Sequence, residues 1–134
     1  IFSDNVEVET IKEDSRTETW ASYFPYIDEK PFFGHGFKKF QGHHFGLYAG
    51  VHNTYLLVLG EAGIIPFLLI VYLYCSMLIR GFKCRKQYPE IFYLSIVLFT
   101  ALLVTHNYFD KFSLLFLSMY LMKDLDKIKN EFNV

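Results

Sequence analysis

The sequence predicts an all-α chain of polytopic integral membrane helices, joined to an extracytoplasmic loop that carries short helices. Three observations predict this: 52% of the residues are hydrophobic, the charged residues gather into blocks, and two long stretches carry no charge. No Asp, Glu, Lys or Arg occurs from Ala62 to Ile79 or from Ile91 to Phe109. Each stretch approaches the roughly 20 residues that a helix needs to cross the hydrocarbon. The apolar run from Phe112 to Met122 is shorter and reads as a short or tilted return helix. It crosses only by borrowing Asn107, Tyr108 and Phe109 or by snorkelling Lys111 and Lys123. The expected layout is a loop over 1–51 with a short helix near 15–28, then membrane helices over about 53–79, 90–108 and 111–130, with a link at 80–89.

Basic residues set the orientation, because Lys and Arg in short loops are retained in the cytoplasm. Arg80, Lys83, Arg85 and Lys86 crowd the link, which places 80–89 inside and the acidic first third outside. The alternative is that these charges cap helix ends and do not report sidedness. The chain starts at Ile1, has no Met before Met77 and lacks the pattern of a signal peptide. It reads as a piece of a longer protein whose insertion is directed by upstream helices. Cys75 lies in a span and Cys84 in the link, where disulfides seldom persist, and neither has metal-ligand spacing.

Along the chain, 1–14 is acidic and is expected to be solvated or weakly extended. Ser15 with Glu18 forms a capping box and starts a helix, on which Arg16, Trp20, Tyr23 and Phe24 share a face and which Pro25 limits or kinks. Pro31-Phe32-Phe33-Gly34-His35-Gly36 reads as a turn, since Pro fixes φ and Gly permits positive φ. It is not a dinucleotide fingerprint, because no strand precedes it and no third glycine follows in register. Phe37, Phe40, Phe45 and Tyr48, mixed with Lys38 and Lys39, form a loop suited either to the headgroup layer or to covering absent helices. From His52 a helix runs inward with Leu56, Leu59 and Gly63 near the histidine's face, and Glu61 marks the outer interface, where a carboxylate avoids the cost of the bilayer centre.

His35, His43, His44 and His52 are close in sequence, but three lie in a glycine-rich loop with no cysteine and no His-Glu-x-x-His pattern, so no metal is expected. His106, beside Asn107, reads as a hydrogen-bonded interface residue. No nucleic-acid partner is expected.

Taken in order, Arg16-x-x-x-Trp20, Pro31-Phe32-Phe33-Gly34-His35-Gly36, then His52-Asn53-x-Tyr55-Leu56 with Glu61-x-Gly63 resemble the carboxy-terminal part of the O-antigen ligase and O-antigen polymerase family. The resemblance implies a polytopic, GT-C-like glycosyltransferase of the bacterial inner membrane that takes a glycan from undecaprenyl diphosphate on the periplasmic face. It implies that Arg16 binds the diphosphate and His52 acts as the base, with Trp20, Gly34, Gly36, Asn53 and Tyr55 at the substrate. The side chains suit these roles. Guanidinium is a permanently charged fork of donors that matches phosphate oxygens, and neutral imidazole accepts a proton near physiological pH. No metal, nucleotide or other cofactor is implied, since the lipid diphosphate leaving group carries the activation. The implied partners are the lipid-linked glycan, an acceptor glycan, membrane lipid and upstream helices of the same protein. The acceptor is a lipid A core sugar for a ligase and another lipid-linked repeat for a polymerase.

Other readings stay open on the residues alone. Arg16 also fits a solvated helix position beside Glu13, and His52 a helix N-terminal residue satisfied by backbone. Both would then be incidental to a transporter segment or a structural membrane subunit. As the only arginine before the first uncharged stretch, Arg16 supplies half of the expected site, so this piece alone is expected to be inactive.

Overall fold

The structure, a computed structural model, describes residues 15–105 and 107–132, without the side chains of Ser15 and 129–132. The segment 1–14, His106 and the Ser15 half of the expected capping box therefore lie outside the described residues. Among the described residues the chain is all-α: five α-helices and one 3₁₀ turn follow one another, and no strand forms.

The first helix, α1, spans Ser15–Glu29. Pro25 sits inside it rather than ending it. Proline removes one backbone donor, and the Ala21 carbonyl that loses its partner lies at an exposed position where water can replace it. α1 stops before Lys30-Pro31, because the residue preceding a proline is pushed out of the helical region. Trp20, Tyr23 and Ile27 form the inward stripe, whereas Phe24, expected beside Tyr23, is exposed.

The single helix expected over 53–79 is two helices, α2 at Thr54–Ala62 and α3 at Ile64–Cys84. The break is Gly63, whose φ of 88° and ψ of −174° fall in a region open essentially to glycine alone. The cause is the loop packed against it. A Cβ on Gly63 would meet the Phe32 carbonyl oxygen at 2.1 Å, and the Ile64 amide donates to the Pro31 carbonyl at 2.9 Å. α3 then continues through the first half of the expected 80–89 link. The helix α4, Pro89–Val104, begins with proline at a position that needs no donor. It stops short of the expected 108 because Thr105 turns extended and Asn107 caps a 3₁₀ turn, Tyr108–Asp110, by accepting from the Phe109 amide. The last helix, α5, is Phe112–Phe132.

Among the described residues only α3 is both long and apolar enough to cross a membrane; α4 is apolar but shorter. The second half of α5 carries Lys123, Asp124, Asp126 and Lys127, which removes it from the same class. Apolar side chains nevertheless cover the outside of the bundle, including Ile65, Leu69 and Tyr72 on α3 and Phe112, Phe116 and Tyr120 on α5. Inside, Met77 of α3, Leu98 and Leu102 of α4, and Leu121 and Leu125 of α5 form one core, closed by Tyr55, Tyr74 and Tyr108. A second core joins Tyr23 and Ile27 of α1 to Phe40 and Val51 of the loop and Leu57 and Val58 of α2.

The break at Gly63 gives a direct expectation. Gly63→Ala adds the overlap with Phe32 to a backbone strain of about 1–3 kcal/mol, whereas Gly36→Ala, also at positive φ but with nothing near its Cβ, carries the strain alone. Thermal unfolding of the detergent-purified protein should rank Gly63→Ala as clearly the less stable of the two.

Candidate functional site

Residues 30–52 are shaped by the unsatisfied carbonyls at the end of α2. The His35 amide donates to the Gly60 carbonyl at 2.8 Å and the Gly36 amide to that of Glu61 at 2.9 Å. This close approach explains Gly34, where a Cβ would meet the carbonyl carbon and oxygen of Glu61 at 2.4 Å. Glu61 itself is buried, and its carboxylate accepts from the Phe40 amide at 3.1 Å. It anchors the loop. The Phe40 carbonyl in turn accepts from the Val51 amide at 3.1 Å, so the loop closes on itself beneath α1.

α1 lies over this loop and holds it through side-chain donors. Trp20 Nε1 donates to the Val51 carbonyl at 2.7 Å, the Tyr23 hydroxyl to Ala49 at 2.8 Å and the Tyr26 hydroxyl to Phe45 at 3.1 Å. Burial raises the Tyr23 phenol above its ordinary pKa. His35 bonds the Tyr26 carbonyl through Nε2, and because a carbonyl only accepts, that nitrogen carries the proton. Its ring packs against Phe40 and Phe45. Trp20 is thus committed to the loop backbone, and Gly34 to the α2 terminus.

His52 follows directly. Its side chain is exposed, and its φ of 45° is a conformation that a non-glycine residue keeps only when its surroundings impose it. The residues on either side impose it. Trp20 grips the Val51 carbonyl, and Asn53 is the N-cap of α2, its Oδ1 accepting from the Tyr55 amide at 3.0 Å and the Leu56 amide at 3.2 Å. Because His52 precedes the cap, it lies off the α2 face on which Leu56 and Leu59 were expected to align with it. Tyr55 is buried between α2 and α4, its hydroxyl donating to the Phe99 carbonyl at 3.4 Å. Arg16 is exposed in the first turn of α1, one helical turn before Trp20 on the same side. Of the expected residues, Trp20 is brought to the backbone carbonyl beside His52, and Arg16 lies one turn earlier on the same helix. Gly34 and Gly36 lie at the carboxy-terminal end of α2, Gly36 exposed, while Asn53 and Tyr55 are occupied in the cap and the core.

Three contributors carried no sequence signal for their role. The Tyr23 and Tyr26 phenols act on carbonyls 26 and 19 residues away, a relation that helical periodicity does not encode. Thr54, fully buried, accepts from the Tyr108 amide and donates to the Thr105 carbonyl, fastening the α4–α5 connection to the start of α2. Among the described residues, no three His, Cys, Asp or Glu side chains come together as a metal cradle.

A family model described as O-antigen ligase matches residues 2–72, which takes in α1, the loop, α2 and the first part of α3. No curated protein and no solved structure matches the chain.

The carbonyl grip makes two expectations. Trp20→Phe keeps an aromatic ring but leaves the Val51 carbonyl without its donor, which should cost about 1 kcal/mol of stability by denaturant titration. The second concerns pH. With the folded Tyr23 phenol raised, its share of stability is complete below the unfolded value of about 10. That share falls as pH climbs from there through the folded pKa. Tyr23→Phe should flatten this alkaline loss in the thermal midpoint measured against pH.

Proposed function

This chain belongs to the O-antigen ligase family, and from that we propose that it is the carboxy-terminal part of a glycosyltransferase that moves a glycan from undecaprenyl diphosphate to an acceptor sugar at the periplasmic face of the inner membrane. The observation that carries the reading is the 2.7 Å bond from Trp20 to the Val51 carbonyl. It ties the helix bearing Arg16 to the residue immediately before His52, which supports a site that uses a cation and an imidazole together. α3 departs from the other end of α2, and its 21 residues span about 30 Å, the hydrocarbon thickness, with Arg80 and Lys83 in its last turns and Arg85 and Lys86 just beyond. That separation suits a basic, cytoplasmic end and a site on the opposite face.

In this mechanism His52 takes the proton from the acceptor hydroxyl as its oxygen attacks the anomeric carbon. The bond to the lipid diphosphate breaks on the opposite face, giving inversion. Arg16 neutralises charge growing on the departing phosphate, where a planar guanidinium contacts two oxygens at once. The leaving group supplies the driving force, so the scheme uses no metal or cofactor. Trp20 and Asn53 act as positioning residues by fixing the backbone on both sides of His52. The site is completed by upstream helices of the same protein, and α4 and α5 serve as further membrane helices around the candidate span.

The acceptor is a lipid A core sugar if the full-length protein is a ligase and a lipid-linked repeat if it is a polymerase. Complementation of a ligase-null and a polymerase-null strain separates them: the first restores a ladder on lipid A core, the second restores chain length. In the strain that responds, His52→Ala should reduce transfer by about 10²–10⁴-fold, the usual contribution of a positioned base. Arg16→Ala should be similarly defective, and Arg16→Lys only partly restored, because an ammonium lacks the fork. Unchanged surface glycan at normal protein levels in either Ala variant would make the two side chains incidental, as in a transporter or structural segment.

A further inference from the structure

At the end of α3 remote from His52, a cleft of about 760 Å³ opens between α3 and α5, walled by Tyr72, Ser76, Arg80, Lys83, Lys86 and Ile128. Arg80 is set in place by Asp126, Nη2 to Oδ1 at 2.6 Å, and its side chain is 29% exposed. One carboxylate oxygen accounts for one of the five donors of a guanidinium. Arg85, the other arginine here, is directed elsewhere, onto the Phe82 ring and carbonyl. Lys83 and Lys86 are not needed to cap α3, because the carbonyls of Phe82 and Cys84 already accept from the amides of Arg85, Gln87 and Tyr88. Three cations against the Asp126 carboxylate leave the cleft wall positive. Its mouth is continuous with the apolar outside of α3, where Tyr72 is exposed.

We propose that this cleft binds a phosphate group, and that the group is the headgroup of an anionic phospholipid whose acyl chains lie along α3. The argument uses charge and shape together. A basic pocket between helices, placed where an apolar span ends, provides Coulombic attraction for the phosphate and an apolar surface for the chains. A free phosphate would use the cations and leave Tyr72 and Ile128 idle. The proposal does not depend on the catalytic reading, since the cleft lies at the opposite end of α3 from His52.

The test uses the purified full-length protein in neutral detergent, titrated separately with phosphatidylglycerol, phosphatidylcholine and inorganic phosphate, with bound ligand counted by native mass spectrometry. Phosphatidylglycerol should bind in preference to phosphatidylcholine. Lys83→Gln combined with Lys86→Gln should weaken that binding by about thirty-fold, from about fivefold per lysine near a membrane surface. Lys30→Gln, exposed just after α1 and far from the cleft, should leave it unchanged and serves as the folded control. Inorganic phosphate binding as tightly as the lipid, with the same lysine dependence, would overturn the lipid as the source. Equal binding of both lipids, or no effect of the Lys83 and Lys86 changes in a protein that elutes normally, would overturn the site.

Discussion

The amides of His35 and Gly36, donating to the carbonyls of Gly60 and Glu61, fix almost everything else about the amino-terminal half. A helix that ends beside an apolar span cannot leave its last carbonyls bare, because unpaired buried backbone is costly. The loop supplies the donors, and its approach forces the chain to break at Gly63. From that contact the order is transmitted along the loop: the Glu61 carboxylate holds Phe40, Phe40 holds Val51, and Val51 is gripped by Trp20. Each step is one hydrogen bond of about 0.5–1.5 kcal/mol net, so the arrangement depends on all of them acting together.

Strain accumulates in the same stretch. Lys38, His43, Phe45 and His52 all have positive φ without being glycine, a conformation that costs about 1–3 kcal/mol each. The burial of Phe40, Tyr23 and Val51 beneath α1, with the stacked Tyr26–Phe45 rings, offsets that cost. Sites of persistent strain tend to be functional, and His52 is the strained residue whose two neighbours are both independently fixed. Exposure of its ring then follows from backbone geometry.

The all-α class, the amino-terminal helix and the apolar character of α3 could be read from composition and charge spacing, because these are local properties. The break at Gly63 could not, since uncharged residues on both sides look like one continuous helix and the cause lies in Pro31 and Phe32, far back in sequence. Charge gaps likewise overstated the second helix, because Asn107 is uncharged yet caps a new turn. Arg16, Trp20 and His52 stood out because the order of their motifs resembles the O-antigen ligase family. That Trp20 would act on backbone beside His52, and that Asn53 would be spent as a cap, required the tertiary contact that brings α1 over the loop.

The molecule thus has two differently built ends: a strained loop clamped by aromatic donors, and a cationic cleft where α3 finishes. The first depends wholly on the docking of residues 34–40 onto α2. Hydrogen exchange resolved to single amides tests that docking most directly. The account predicts that the His35, Gly36, Phe40 and Val51 amides exchange slowly and together with those of α2, as one cooperative unit. Exchange of those four at the rate of an unstructured peptide, while α2 stays protected, would contradict it.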